Sequence, residues 1–226
     1  MKAHEAVMAW VTDELSSGRL RIGDRLPSER ALAETLGVSR ASLREALRVL
    51  EALGTIRSAT GSGPKSGTVI TAAPEQALSL ALNLQLATNH VEHRHVAETR
   101  ALLETWAASH SDPALGDWET AAHLLDLMDD PELPIEHFLA HDAQFHVTLS
   151  RAAGNPLISA LMEALRLSIA EHTAARARAL PAWRTTADRL RAEHREILDA
   201  LRRGDRDAGA ELLRAHIDGY YRETET

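Results

Sequence analysis

The sequence predicts a mainly α protein in two parts, an N-terminal winged helix-turn-helix followed by an antiparallel all-α bundle of about seven helices. Three observations carry this. Helical periodicity recurs almost throughout, in a chain rich in Leu and Ala with only 2 Phe and 2 Tyr. β-Prone residues gather in one short stretch near residues 55–70. The charge is divided: residues 1–70 sum to +2 and residues 71–226 to −10 within the total of −8, which suits a small polyanion-binding module on an acidic body.

Composition narrows the chemistry. The 226 residues, 44% hydrophobic and 26% charged, suffice for one or two compact domains and exclude general disorder. No apolar run is long enough to span a membrane, and the acids in MKAHEAVMAWVTDEL break any signal-peptide core, so a soluble, cytoplasmic protein is expected. With 0 Cys, disulfides, thiolate zinc sites and cysteine nucleophiles are excluded; any metal must be held by nitrogen and oxygen, which directs attention to the 12 His.

In order, a first helix over roughly residues 4–17 repeats Val7, Trp10, Val11 and Leu15 and stops at Gly18. Ser28 can cap a short second helix that ends at Gly37, and Ser39 a third running to Leu53, with Val38 plugging the turn. Thr55–Ser58 and Thr68–Ile70, joined by a Gly/Ser-rich loop over residues 61–67, read as a hairpin, the wing. Thr71–Glu75 is the linker, placing a DNA-binding domain at 1–73 and an effector-binding and dimerisation domain at 74–226. Seven helices then follow over 75–87, 92–109, 113–129, 134–153, 156–179, 181–203 and 205–221, with Pro113, Pro134, Pro156 and Pro181 at or near first turns.

Arg40, Arg44 and Arg48 recur every four residues and share an exposed face of the third helix, turned away from Leu43, Leu47 and Leu50. A guanidinium fork there matches guanine O6/N7 or a phosphate. Arg40 and Arg44 are the candidate base readers, Ser39 and Ser42 with Ser28 suit phosphates, Arg30 faces the backbone, and Lys65 rides the wing tip. Alternatively the arginines form a solvated face paired with Glu45 and Glu51.

Asp142 and His146 stand four apart on one helix, while His194 and His216 replace apolar residues in the seams Leu190/Ile197/Leu201 and Leu213/Ile217/Tyr220. Polar groups in a seam need partners. One carboxylate and three imidazoles can satisfy one another by binding Zn²⁺, Ni²⁺ or Mn²⁺ with one or two positions open; each histidine can instead be locally hydrogen-bonded. Arg100 and Glu104, four apart, read by themselves as an intrahelical ion pair at the surface.

Leu26-Pro27-Ser28-Glu29-Arg30, Leu36-Gly37-Val38-Ser39-Arg40 and Leu43-Arg44-Glu45-Ala46-Leu47 resemble the winged helix-turn-helix of GntR-family bacterial transcription regulators. The resemblance implies operator contacts from Arg30, Arg40 and Arg44; the wing loop, Gly61 to Gly67, is longer than the family's usual turn. Asp142-Ala-Gln-Phe-His146, Glu193-His194-Arg-Glu-Ile197 and Arg214-Ala-His216-Ile resemble the FCD ligand-binding bundle in its FadR-like version. That implies a divalent metal on Asp142, His146, His194 and His216, and Arg100 beside it in the effector cavity. The expectation is a homodimeric, non-enzymatic regulator of double-stranded operator DNA, a repressor responding to a small carboxylate. The alternatives are a regulator that senses the metal itself and a metal-dependent hydrolase or lyase.

Overall fold

The structure, a computed structural model, describes residues 3–59, 67–71, 73–88 and 92–224. The wing loop, with Lys65, lies outside them. The chain divides into two compact units, Met1–Leu78 and Ser79–Thr226.

The first unit holds α1 (Ala3–Ser16), α2 (Glu29–Leu36), α3 (Arg40–Ala52), β1 (Ile56–Ala59) and β2 (Gly67–Ile70). Its turn is set by capping chemistry. Ser28 Oγ accepts from the Ala31 amide at 3.3 Å, Gly37 takes φ 64°, and Ser39 Oγ accepts from the Ser42 amide at 3.0 Å. Val7, Val11, Leu32, Leu43, Leu50 and Ile56 form the core that fixes α3 against α1 and α2. β1 and β2 pair antiparallel with Ile56 opposite Ile70, and Leu26 N donates to Thr68 O at 2.9 Å, adding the loop after α1 to the hairpin.

Gly54 holds this corner. It takes φ +70°, its carbonyl accepts from the Ala73 amide at 3.1 Å, and a Cβ there would sit 1.9 Å from the Ala73 oxygen. Gly54→Ala is expected to lower stability by about 3 kcal/mol, measured as a lower urea midpoint of the transition reported by Trp10 in a single-tryptophan background.

The second unit is built on α4 (Glu75–Ala87), α5 (His93–Ser109), α6 (Trp118–Met128), α7 (Ile135–Arg151), α8 (Pro156–Ala179), α9 (Trp183–Arg202) and α10 (Arg206–Thr224). Helix α10 packs on α5 and α9, α7 on α6 and α8, and α9 on α6. A Glu136–Arg178 hydrogen bond of 2.7 Å ties the start of α7 to the end of α8, as an antiparallel pair requires. The core around Met128, Phe138, Phe145, Leu190, Ile197 and Leu201 is continuous with the seams that carry the histidines. No helix among the described residues is long and apolar enough to cross a membrane.

Helix boundaries differ from expectation mainly at α6, which starts at Trp118 rather than near Pro113. Asp112 accepts from the Ala114 amide at 2.9 Å and holds a turn, the Trp118 indole donates to the Pro113 carbonyl at 2.7 Å, and Asp117 caps the helix through the Thr120 amide. A second aspartate cap downstream outcompetes the proline as the start signal.

Candidate metal centre and DNA-reading face

Asp142 and His146 leave α7 from one face because they are four residues apart, while His194 on α9 and His216 on α10 take core positions in their stripes. The structure brings all four together, with one ligand atom from each lying within 4.8 Å of the others. His146 Nε2 and His194 Nε2 each stand 3.2 Å from His216 Nε2, and Asp142 Oδ1 is 3.1 Å from His194 Nε2 and 3.9 Å from His146 Nε2. The three imidazoles are buried, His194 completely.

Two of the far nitrogens face carboxylates. Glu104 Oε2 lies 2.6 Å from His146 Nδ1, and Glu193 Oε2 lies 2.7 Å from His216 Nδ1. A carboxylate at Nδ1 holds the proton there and turns the Nε2 lone pair inward. Two such lone pairs 3.2 Å apart repel unless a cation lies between them. Nitrogens about 2.0–2.1 Å from one ion in tetrahedral directions stand about 3.3 Å apart, so the donor set fits a divalent metal.

The electrostatics agree. Burial, reinforced by His216, pushes the His194 imidazole down to about 4, and burial also lowers His216, so both rings are neutral donors near pH 7. Burial would raise the Asp142 carboxyl, but the His194 hydrogen bond and the neighbouring imidazoles hold it far below the usual carboxylate range.

Arg100 lines the adjoining cavity, and its Nε donates to Glu104 Oε1 at 2.9 Å. The pair is buried rather than superficial, with 11% and 2% of the side chains exposed, because α10 packs across α5. Arg100 is thus a buried intrahelical partner of Glu104 that also lines the cavity. Glu193 diverges from its neighbour His194 around α9 but meets His216 on the next helix. It is steadied in turn by Arg189, whose Nη1 donates to it at 2.6 Å while Nη2 donates to Glu223 at 2.6 Å.

On the first unit, Arg30, Arg40, Arg44 and Arg48 are exposed, as is Ser39, while Ser42 is half-buried. Arg44 Nε donates to Glu29 Oε2 across the turn at 2.8 Å, Arg30 pairs with Glu34, and Arg48 pairs with Glu45. Glu51 instead accepts from the Ser58 amide at 2.7 Å, capping the wing strand. Arg40 has no carboxylate partner among the described residues.

Residues 3–65 match the family described as "Bacterial regulatory proteins, gntR family", and residues 95–219 match the FCD domain. The chain belongs to the GntR family and carries an FCD domain. It is 29% identical over 222 residues to the HTH-type transcriptional regulator LutR of Bacillus subtilis (strain 168), covering 92% of this chain and 98% of that protein. It is 29% identical over 206 residues to a protein of Escherichia coli (strain K12) named for regulation of an L-lactate dehydrogenase operon, covering 88% and 77%. The solved Streptococcus agalactiae GntR superposes with a TM-score of 0.63 at 25% identity, covering 97% of this chain and 99% of that one. This GntR-family protein is accordingly an effector-responsive, DNA-binding transcription regulator rather than an enzyme.

Tyr220 was not anticipated as part of the regulator's site. Four residues after His216, it lines the small cavity with Asp142 and Arg100; its hydroxyl is buried and has no hydrogen-bond partner among the described residues. Burial and nearby Asp142 raise it above the usual phenol range, so it remains a donor. The i, i+4 spacing from a candidate ligand was the available signal.

Proposed function

We propose that this protein is a homodimeric repressor, acting in the cytoplasm, that releases operator DNA when a small carboxylate binds beside a divalent metal held by Asp142, His146, His194 and His216. Zn²⁺, Ni²⁺ and Mn²⁺ all suit a nitrogen and oxygen donor set. The observation that carries the reading is the inward convergence of three buried imidazoles, two of them braced by Glu104 and Glu193. A bound metal supplies fixed positive charge for a carboxylate oxygen. Arg100 offers a second, forked contact, and the buried Tyr220 hydroxyl a third. Residues 1–73 form the DNA-binding domain, with Arg40 and Arg44 reading bases and Arg30, Ser39, Ser42 and Lys65 contacting the backbone; residues 74–226 bind effector and dimerise. One winged domain spans too few base pairs to select an operator, whereas a twofold pair reads two half-sites. The acid shifts DNA affinity only by its preference for the form that does not bind operator. The E. coli relative's name, which refers to a lactate enzyme's operon, supports an organic acid as the signal.

The test is operator binding by the purified regulator with added small carboxylic acids, against the same titration with a chelator. Acid-dependent release that requires the retained metal is expected. Release by chelator alone, with no response to any acid, favours a metal sensor and overturns the proposal. Tyr220→Phe is expected to weaken acid binding about 10- to 100-fold, the value of a hydrogen bond to a charged group, with metal content unchanged in elemental analysis.

A further inference from the structure

Beside the Asp/His centre lies a cavity of about 580 Å³ between α7 and α8. It exists because small residues line its floor: Ala140 and Ala143 on α7, and Ala170 and Ala174 on α8, where larger side chains would close the helices onto each other. Pockets of about 300–1,000 Å³ accept ligands well beyond a three-carbon acid. Along α8 the lining residues Arg166, Ala170, Thr173, Ala174 and Arg178 fall at i, i+4, i+7, i+8 and i+12, one face of the helix, with a guanidinium at each end.

The two ends are not equivalent. At one, Glu136 also lines the cavity and takes the Arg178 hydrogen bond, so a carboxylate already occupies that end. At the other, Arg166 pairs with Glu163 through Nε and Nη2 at 3.0 and 2.6 Å, and Glu163 is not among the lining residues. Among the described residues Arg166 Nη1 has no partner and is open to a ligand, and the side chain is only 24% exposed. Thr173, which also lines the small cavity with Asp142 and His146, lies seven residues from Arg166, about 10 Å along the helix. The long arginine arm shortens that gap. A single-headed acid at Arg100 would lay its apolar tail against Arg166 and desolvate the cation at a cost, whereas a second carboxylate would pair with it.

We infer that the effector is a dicarboxylate, with one carboxylate at Arg100 and the metal centre and the other at Arg166, joined by a short carbon chain across the alanine floor. This rests on the effector-site reading above. The test is calorimetric titration of the metal-loaded full chain with diacids and monoacids of matched length, succinate against butyrate and adipate against hexanoate. At least one diacid is expected to bind 30-fold or more tighter than its monoacid. Removing both charges of the outer pair with E163Q/R166Q should abolish that preference while metal content stays constant. Ala170→Leu, which fills the floor without touching a charge, should also weaken the diacid more than the monoacid. Equal affinities for diacid and monoacid, or a preference that survives E163Q/R166Q, overturn the dicarboxylate assignment and leave the carboxylate site standing. Binding of none of the four acids by protein of verified metal content removes both.

Discussion

His194→Ala is expected to strip the purified protein of stoichiometric metal and, with it, of acid-dependent control. His194 is fully buried, its Nε2 faces Asp142 and His216, and its ring packs on Phe145 at 4.9 Å between centroids. Alanine deletes one of four donors and leaves a void that Phe145 alone cannot fill. Loss of a carboxylate behind a ligating histidine typically costs about 10- to 100-fold in metal affinity, so loss of the ligand itself should exceed 100-fold, with Glu193→Gln falling inside the lower range. The thermal consequence follows from linkage. A metal present at 1,000 times its dissociation constant stabilises the native state by about 4 kcal/mol. At about 2–4 °C per kcal/mol for a chain of this size, chelation should lower the melting temperature by on the order of 10 °C. Elemental analysis and a melt with and without EDTA check both; a protein that purifies without metal and melts identically with EDTA would falsify the metal-centred reading.

The second large effect is at the DNA. Arg40→Ala and Arg44→Ala should each cost about 1–3 kcal/mol per half-site, and the proposed symmetric dimer doubles that, giving roughly 30- to 25,000-fold weaker operator binding. The two arginines start from different positions. Arg44 must exchange Glu29 for a base edge, so part of its contact energy goes to breaking a pair, whereas Arg40 carries no such partner among the described residues. Arg40→Ala is therefore expected to do more damage. Arg30→Ala, at the backbone, should weaken all sequences alike and reduce the slope of log affinity against log salt by about 1 per half-site. Operator and random-sequence titrations at several salt concentrations separate these outcomes; equal loss on both sequences for Arg40→Ala would move it from base reading to phosphate contact.

Much of this architecture was legible because it is local. Ser28, Gly37 and Ser39 write the helix-turn-helix in capping chemistry, and the i, i+4 relation of Asp142 and His146 needs only one helix to be correct. His194 and His216 stood out as polar interruptions in otherwise apolar stripes. What escaped notice depends on how helices cross. Glu104 looked like an ordinary i, i+4 partner of Arg100 until α10 buried it beside His146, and Glu193 pointed away from its own helix's histidine only to reach that of the next. The cavity had no sequence signal at all, since alanines read as good helix formers and only the facing helix turns them into missing volume. At Pro113 a local rule misled, because another cap four residues on was stronger.

The chain of contacts from His216 through Glu193 and Arg189 reaches Glu223 in the last turn of α10, which also accepts from the Thr186 hydroxyl of α9 at 2.5 Å. Trimming that turn to obtain a tidier crystallisation sample would unfasten the outermost strut of a histidine buried well inside the bundle.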